Sequence, residues 1–204
     1  MEPDFAFEDA ARHQGFCSIA GIDEVGRGPI CGPVTAAAAI FFAPPPEGLR
    51  DSKRLSAKRR GEMALKIKQT AHCAYAHASV EEIDHLNILQ ATFLAMRRAV
   101  SLLPVKPDFA LIDGNKVPPD LCVPAQAVVK GDTKSLSIAA ASVIAKVARD
   151  ELMQQLGLKS PQYLWHQNAG YPTKAHLEAL KEHGVTPHHR VSFRPVHNML
   201  WQNK

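Results

Sequence analysis

The chain has 204 residues, of which 46% are hydrophobic and 22% charged, and it carries a formal net charge of +4. This composition excludes an intrinsically disordered chain, and the length is sufficient for one sizeable core. The longest charge-free apolar run, residues 34–43, is too short to span a membrane, and the acidic N-terminus does not resemble a secretory signal.

Hydrophobic periodicity, bounded by Gly, Pro and capping residues, predicts five strands and four helices. In chain order they are a strand at 16–24, a strand at 34–42, a helix at 56–70, a strand at 71–80, a helix at 87–103, strands at 109–112 and 125–129, and helices at 135–153 and 173–183. Ser56 is the expected N-cap of the first helix. The alanines inside the second run leave its type open, because Ala favours a helix.

The order of these elements indicates an α/β protein. Strands come first and then alternate with helices, which is typical of helices packed on a mixed sheet. From residue 160 onward the chain is polar and rich in histidine, and its helical patterning predicts a small appendage. We therefore expect one main domain over residues 1–159, with a C-terminal helical extension over residues 160–204 packed on it.

Four carboxylates follow apolar strands directly before glycine-bearing turns. They are Asp23, Glu24, Asp113 and Asp132. Ligands of α/β sheets bind beyond the carboxyl ends of the strands, so these side chains meet if their strands are neighbours. Two such charges about 4 Å apart repel by roughly 4 kcal/mol at an effective dielectric of 20, and divalent cations such as Mg²⁺ would neutralise them. The alternative, which stays open for each residue, is an ordinary turn former or helix cap.

The segment at residues 26–32, here called the glycine turn, contains Gly26, Arg27 and Gly28. Its third glycine comes one position too late for a dinucleotide-binding fingerprint, and the following prolines oppose the helix that this fingerprint requires. A tight turn with bare backbone is the better interpretation, because a ligand can approach it closely and Arg27 can donate to a phosphate.

Basic and polar residues suggest further contacts. The candidate phosphate contacts are Lys53, Lys130, Lys134 and Lys146, and solvated helix faces are the alternative. Lys53 lies in a basic cluster with residues 54 and 58–60, and Arg149 belongs to a second cluster with Lys130, Lys134 and Lys146. The acidic pair at 150–151 is expected to face solvent, as are the ten histidines. The four cysteines form no C-x-x-C pair, which predicts free or buried thiols in a cytoplasmic protein.

Several blocks of sequence carry a resemblance to one known family. They are GIDEVGRGPICGPV at 21–34, DSKRLS at 51–56, IDGN at 112–115, VVKGD at 128–132, SIAAASVIAKVARD at 137–150, GYPTKAHL at 170–177 and HHRVSFRPV at 188–196. Together they resemble the type 2 ribonuclease H family, in particular its bacterial HII branch. The resemblance implies a ribonuclease H-like mixed sheet flanked by helices, with a C-terminal helical extension.

The resemblance also implies an activity and its residues. The activity is metal-dependent cleavage of RNA in RNA–DNA hybrids and at single ribonucleotides embedded in duplex DNA, leaving 5′-phosphate and 3′-hydroxyl ends. Asp23, Glu24, Asp113 and Asp132 match the catalytic carboxylates, which would bind two ions of Mg²⁺ or Mn²⁺. Gly26, Arg27 and Gly28 match the segment that reads the ribose 2′-hydroxyl, and Tyr171 matches the residue that stacks on the next sugar. No obligate protein partner is evident, and we expect a monomer.

One stretch departs from the family pattern. Asn168 and Ala169 precede the Gly-Tyr step where a basic residue is common, and Val191 replaces a common Arg. The departure removes positive charge near the duplex. We expect it to affect the affinity for the duplex substrate, and not the hydrolytic chemistry. Two other functions stay open: another nuclease of ribonuclease H-like fold, which needs the carboxylates but not the glycine turn, and a non-catalytic duplex-binding module, which needs neither.

Overall fold

A computed structural model describes residues 2–49, 52 and 55–201, and its centre is a five-stranded mixed sheet of order β3-β2-β1-β4-β5. The strands are β1 (Ile19–Val25), β2 (Val34–Phe41), β3 (Ala71–Ala78), β4 (Phe109–Asp113) and β5 (Ala125–Val128). β1, β2 and β3 pair antiparallel, whereas β1, β4 and β5 pair parallel. All five predicted strands are confirmed, with ends that shift by up to three residues.

Helices cover both faces of this sheet. They are α1 (Ala6–His13), α2 (Ala57–Thr70), α3 (Val80–Leu86), α4 (Ile88–Ser101), α5 (Leu136–Lys159), α6 (Trp165–Asn168), α7 (Lys174–His183) and α8 (Arg194–Trp201). α4 packs on one face, and α2 and α5 pack on the other. The α/β prediction is confirmed. None of the helices in the described part of the chain has the length and apolar character that crossing a bilayer requires.

The alanine run is the centre of the sheet. Residues 36–39 are fully buried in β2, where Ala36 and Ala38 face α4 while Ala37 and Ala39 face α2 and α5. Successive side chains of a strand point to opposite faces, so small residues let both helical layers approach closely. Burial on two sides therefore overrides the helical preference of alanine.

Of the eight helices in the described residues, α1, α3, α6 and α8 were not predicted as separate elements. α3 begins with a capping box, in which Ser79 and Glu82 satisfy each other's backbone N–H groups, and it occupies the end of the predicted strand at 71–80. α1 carries Glu8, a fully buried carboxylate that accepts hydrogen bonds from the Ser135 hydroxyl (2.7 Å) and the Ser137 N–H (2.9 Å). A carboxylate at this position complements the N-terminus of α5. An interaction at long sequence separation thus explains α1.

The four predicted helices, α2, α4, α5 and α7, each have a capping side chain at the predicted first residue, and α5 is longer than predicted. Ser56 caps α2 as predicted, and Asn87, Ser135 and Thr173 cap α4, α5 and α7. The prediction that α5 ends at residue 153 is wrong, because the helix continues to Lys159. Its last turns pack against the C-terminal segment, where a Cβ built on Gly157 would lie 2.9 Å from the backbone nitrogen of His166.

The C-terminal helices enclose a core of their own that also involves the glycine turn. Tyr163, Trp165, Leu180 and Val196 pack together with Met153. Ile30 and Cys31 of the glycine turn belong to the same cluster. The C-terminal segment therefore packs against both α5 and the segment that follows β1. The division at residues 159 and 160 stays a prediction.

Candidate active site

Asp23 and Asp113 lie side by side where two parallel strands end. β1 and β4 are parallel neighbours, and Ile22 pairs with Ile112, so the two carboxylates that follow are at the same level. Because side chains alternate along a strand, both point to the face that α5 covers. Glu24 points to the opposite face, toward α4.

Asp23 is the most enclosed of the carboxylates, with 4% of its surface exposed. It accepts hydrogen bonds from the Ser142 hydroxyl and from the Glu24 backbone N–H, the latter at 2.7 Å. The hydroxyls of Ser52 and Ser142 lie 2.9 Å apart, so Ser52 can donate to Ser142 in turn. Burial, followed by the negative charges of Glu24 and Asp113, raises the pKa of Asp23 well above its usual range.

Glu24 lines an open cleft of about 250 Å³ together with Arg27 and Asp113. Burial raises the pKa of Glu24, while Arg27, whose guanidinium donates to it at 3.2 Å, opposes that rise. Asn115 and Lys116 also line the cleft. The sequence did not single out these last two side chains, although they directly follow the Asp113-Gly114 step.

Asp113 connects β4 to the turn that carries Asp132. Its carboxylate accepts a 2.6 Å hydrogen bond from the backbone N–H of Gly131. Asp132 is the next residue, in a 3-10 turn (Gly131–Thr133), and only 6% of it is exposed. The structure therefore brings all four predicted carboxylates to the same end of the sheet. Asp113 is close to Asp23, is joined to the turn of Asp132, and also lines the cleft that Glu24 faces.

Each of these carboxylates is engaged with protein groups. Within residues 2–49, 52 and 55–201, no three His, Cys, Asp or Glu side chains are arranged to hold a metal ion as they stand. Glu24 is bound to Arg27, Asp113 to the Gly131 N–H, and Asp23 to Ser142. The predicted roles of the four carboxylates stay predictions.

The glycine turn and Tyr171 meet beside this strand end. A Cβ built on Gly28 would lie 3.3 Å from Cε1 of Tyr171, whose residue surface is 47% exposed. Gly26 adopts a φ of +91°, which favours glycine, and a Cβ there would also overlap the Arg149 side chain. Arg27 and Gly28 are exposed. The turn thus offers an accessible face with an aromatic ring next to it.

Two expectations about basic and aromatic side chains are wrong. Arg149 is 1% exposed and donates to the carbonyls of Cys31, Pro33 and Ala169, so it is neither a solvated residue nor a phosphate contact. His176 and His189 are buried and hydrogen-bonded to each other, contrary to the prediction of a polar surface location. Sequence signals do not reveal this burial, because the partners are distant in the chain.

A second buried arginine, Arg190, was also not singled out, although it lies within the resemblance. Its surface is fully buried, and its side chain contacts the glycine turn. Ser142 likewise lies within an apolar helical run that gives no hint of its hydrogen bond to Asp23.

The candidate phosphate-binding lysines fall into three groups. Lys130 and Lys134 directly flank the turn with Asp132, and Lys130 is exposed. Lys146 donates to Asp150 at 2.6 Å, so its charge is already partly satisfied. Asp150 also binds Arg60 and is half-buried, which corrects the expectation that it faces solvent, whereas Glu151 is exposed as expected. Lys53 lies outside the described residues.

A larger cavity, of about 640 Å³, lies apart from these residues. It is lined by Gly32, Pro33, His77 and the ion-paired side chains Glu82 and Arg98, with Leu152 and His188 on the far wall. Of the predicted catalytic and substrate-binding side chains that the structure describes, none lines it. Cavity size alone does not locate the functional site of this protein.

The mixed sheet with helices on both faces, and the acidic strand end beside a glycine turn, define a nuclease of the ribonuclease H-like class. The family model described as Ribonuclease HII matches residues 20–204. A ribonuclease HII of Ruegeria sp. (strain TM1040) is 58% identical over 98% of this chain and 88% of its own length. One of Paracoccus denitrificans (strain Pd 1222) is 55% identical over 97% of this chain and 95% of its own length. The chain belongs to the ribonuclease HII family and is an endonuclease of the type 2 ribonuclease H group.

Solved structures agree with this fold. The ribonuclease H2 of Pyrococcus horikoshii OT3 superposes with a TM-score of 0.72 at 26% identity, over 90% of this chain and 97% of that one. The RNase HII in a PCNA:RNase HII complex from Archaeoglobus fulgidus gives a TM-score of 0.73 at 27% identity, over 87% of this chain and 96% of that one. The Bst RNase HIII, solved in complex with Mn²⁺, shares the fold with a TM-score of 0.73 at 21% identity, over 96% of this chain and 73% of that one.

Proposed function

We propose that the chain is a divalent-metal-dependent endonuclease that cuts the RNA strand of RNA–DNA hybrids and cuts at single ribonucleotides embedded in duplex DNA. The observation that carries this proposal is the position of an acidic strand end directly beside the glycine turn. Asp23 and Asp113 lie at the same level of two parallel strands, and Asp113 is hydrogen-bonded to the residue before Asp132. An acidic end alone would repel the phosphates of a duplex.

The donor set fits divalent cations with a preference for oxygen ligands. Asp23, Glu24, Asp113 and Asp132 would hold Mg²⁺ or Mn²⁺, and each of the carboxylates can exchange a protein contact for an ion. Bound ions would stabilise charge on the attacking and leaving oxygens of a phosphodiester and favour deprotonation of a water. Burial is the main cause of the raised pKa of Asp23, and the negative charges of Glu24 and Asp113 add to it; bound cations would offset that repulsion.

The protein groups around this end have separate tasks. Ser142 holds the Asp23 carboxylate by a hydrogen bond and so limits its rotation. The exposed backbone of the glycine turn would read the 2′-hydroxyl of a ribose placed against it, the group that distinguishes RNA from DNA. The exposed ring of Tyr171, next to Gly28, is a surface for stacking on the neighbouring sugar. Hydrolysis would leave a 5′-phosphate and a 3′-hydroxyl.

The partner that this surface fits is a nucleic-acid duplex. Arg27 and Lys116 line the acidic cleft, and Lys130 and Lys134 flank the turn with Asp132. These cations can neutralise phosphates on either side of the scissile one. We also propose that the chain acts as a monomer in the cytoplasm.

One assay with matched duplexes tests the proposal. Three duplexes of one sequence (all-DNA, DNA with one ribonucleotide, and RNA–DNA hybrid) are incubated with Mg²⁺, Mn²⁺ or EDTA, and the cut positions and end groups are mapped. The proposal expects cuts only at ribonucleotides, only with metal, and with 5′-phosphate ends. Cutting of the all-DNA duplex would favour a different nuclease of this fold, and binding without cutting in any metal would favour a non-catalytic duplex-binding module.

A further inference from the structure

All the hydrogen bonds that the Arg190 side chain donates go to backbone carbonyls of the glycine turn. This fully buried guanidinium donates from Nε to the Gly32 carbonyl (2.8 Å), from Nη1 to the Arg27 (3.1 Å) and Pro29 (2.7 Å) carbonyls, and from Nη2 to the Gly26 carbonyl (2.6 Å). Among the described residues, no carboxylate lies within ion-pair distance of it. A buried cation without a counter-ion is costly, so its backbone acceptors must compensate for lost hydration.

Most carbonyl groups of the turn are hydrogen-bonded, and the N–H groups of Ile30 and Gly32 donate to Gly170 and His188. The backbone N–H of Arg190 donates to Ile30 at 2.8 Å, which brings the carbonyls bound by this residue to five. Arg149 donates to two more, those of Cys31 and Pro33. Seven of the eight carbonyls between residues 26 and 33 are therefore bound by two arginines, and that of Gly28 is the exception.

This arrangement decides where the N–H groups of the turn point. The C=O and the next N–H of a trans peptide point in opposite directions, and the described chain contains no cis peptide. Because the Gly26 and Arg27 carbonyls face the buried guanidinium, the N–H groups of Arg27 and Gly28 face away from it. Neither N–H has an acceptor among the described residues, and both residues are exposed beside Tyr171.

We propose that Arg190 is a positioning residue whose guanidinium holds the carbonyls of the glycine turn inward and thereby presents the N–H groups of Arg27 and Gly28 to the ribose 2′-hydroxyl. The inference rests on the proposed function, since it concerns how the chain recognises a ribonucleotide. It assigns substrate discrimination to a residue that lies 162 positions after Gly28 and does not touch the substrate.

Arg190→Lys is the direct test, because lysine keeps the charge but has one nitrogen and cannot reach all four carbonyls. Discrimination is measured as the ratio of Kd for an all-DNA duplex to Kd for the same duplex with one ribonucleotide, in an Asp113→Asn background that prevents cleavage. We expect this ratio to fall toward one while Kd for all-DNA stays unchanged. In the otherwise native chain, kcat/KM on the ribonucleotide duplex should fall about 10- to 100-fold, the loss expected for a misplaced recognition group.

Arg98→Lys is the matched control. Arg98 also donates to a backbone carbonyl, that of His77, and binds Glu82 through two nitrogens, but it binds no carbonyl of the glycine turn. This variant should lower Tm only slightly, because the Arg98–Glu82 pair is partly exposed, and it should leave the Kd ratio and kcat/KM unchanged. Equal weakening of both duplexes by Arg190→Lys would indicate a purely structural role and overturn the inference, as would an unchanged ratio and kcat/KM.

The two proposals fail in different ways. If the native chain neither cuts the ribonucleotide duplex nor binds it in preference to all-DNA, the proposed function is wrong. If the native chain does both, and the Arg190→Lys variant cuts and discriminates equally well, only the proposed role of Arg190 is wrong. Should the variant not fold, NMR of the native chain replaces it. The Arg190 Nε–H should then exchange slowly with solvent, and the Arg27 and Gly28 amide signals should shift with the ribonucleotide duplex but not with all-DNA. Fast exchange or unshifted amides would refute the inference.

Discussion

The carboxylate of Asp113 and the backbone N–H of Gly131 are joined by a 2.6 Å hydrogen bond across 18 residues of sequence. This bond fixes the end of β4 to the turn that carries Asp132. It also leaves one oxygen of Asp113 for another ligand. Asp113 therefore takes part both in a contact that stabilises the fold and in the proposed metal site. Substitutions at Asp113 can remove one of these roles and keep the other.

Replacement of Asp113 by Asn should therefore remove activity without removing the fold. The amide oxygen can still accept from Gly131, but the negative charge needed for a cation is lost. We expect kcat to fall by roughly 10²–10³-fold or more, as for other lost electrostatic contacts at reacting atoms. Duplex binding, followed by fluorescence anisotropy, and Tm should change little. Glu151→Gln, which neutralises an exposed carboxylate on α5, should retain native kcat, and native turnover by Asp113→Asn would refute the metal assignment.

Gly28→Ala tests the accessible face of the glycine turn. The φ of Gly28 is not in the left-handed region, so alanine fits the backbone, but its Cβ would lie 3.3 Å from Tyr171 and occupy the space that a ribose needs. We expect kcat/KM on the single-ribonucleotide duplex to fall about tenfold or more, with Tm nearly unchanged. An unaltered kcat/KM would exclude close contact between this turn and the substrate.

Gly21→Ala should destabilise the whole protein. A Cβ at this position would lie 2.0 Å from the Ser137 carbonyl carbon and 2.2 Å from the Ile138 nitrogen, and the α5 backbone cannot move as a side chain can. Separating β1 from α5 should cost at least about 3 kcal/mol of unfolding free energy, measured by urea denaturation. Gly61→Ala is the matched control, since Gly61 lies in α2 with open space around its Cβ position and should gain about 0.5–1 kcal/mol.

Stability should decrease below neutral pH through His189. Burial, followed by the neighbouring His176, lowers the pKa of His189 from 6.5 to about 4. Between these values the unfolded chain binds the proton that the folded chain excludes, so the unfolding free energy falls as pH falls. The contribution between pH 7 and pH 5 is about 2 kcal/mol.

His189→Gln isolates this contribution. Glutamine cannot be protonated, but its oxygen can accept the Thr186 N–H bond that His189 now accepts. The unfolding free energy of the variant, measured by denaturation at several pH values, should decline less steeply than that of the native chain. Parallel pH profiles for the two proteins would contradict the assignment.

Salt dependence distinguishes the basic side chains. Lys134→Ala and Lys116→Ala should each lower the slope of log affinity against log salt by about 0.9, the value for one phosphate contact. Lys146→Ala should have a smaller effect, because Lys146 is paired with Asp150. Lys106 precedes β4, at the opposite end of the strand from the acidic edge, so Lys106→Ala should leave the slope unchanged. Equal slopes for all four variants would exclude these roles.

Local patterns were sufficient for most elements of the fold. All five strands and the helices that correspond to α2, α4, α5 and α7 follow from periodicity and capping residues. α1 and α3 were not predicted, because α1 depends on the distant contact of Glu8 with Ser135 and α3 has only seven residues, too few for a clear hydrophobic period. The polar, Gly-containing end of α5 was missed because its packing partner is the C-terminal segment.

The sequence by itself determined the α/β class, the strand ends that carry Asp23, Glu24, Asp113 and Asp132, and the family to which the chain belongs. Those properties depend on residue type and short-range spacing, which a single sequence displays. Only the tertiary structure decided that Asp113 lies beside Asp23 and also lines the cleft of Glu24, and that Arg149 and Arg190 are buried against the glycine turn. Strand order and long-range hydrogen bonds determine these relationships, because they bring together groups that no local pattern connects.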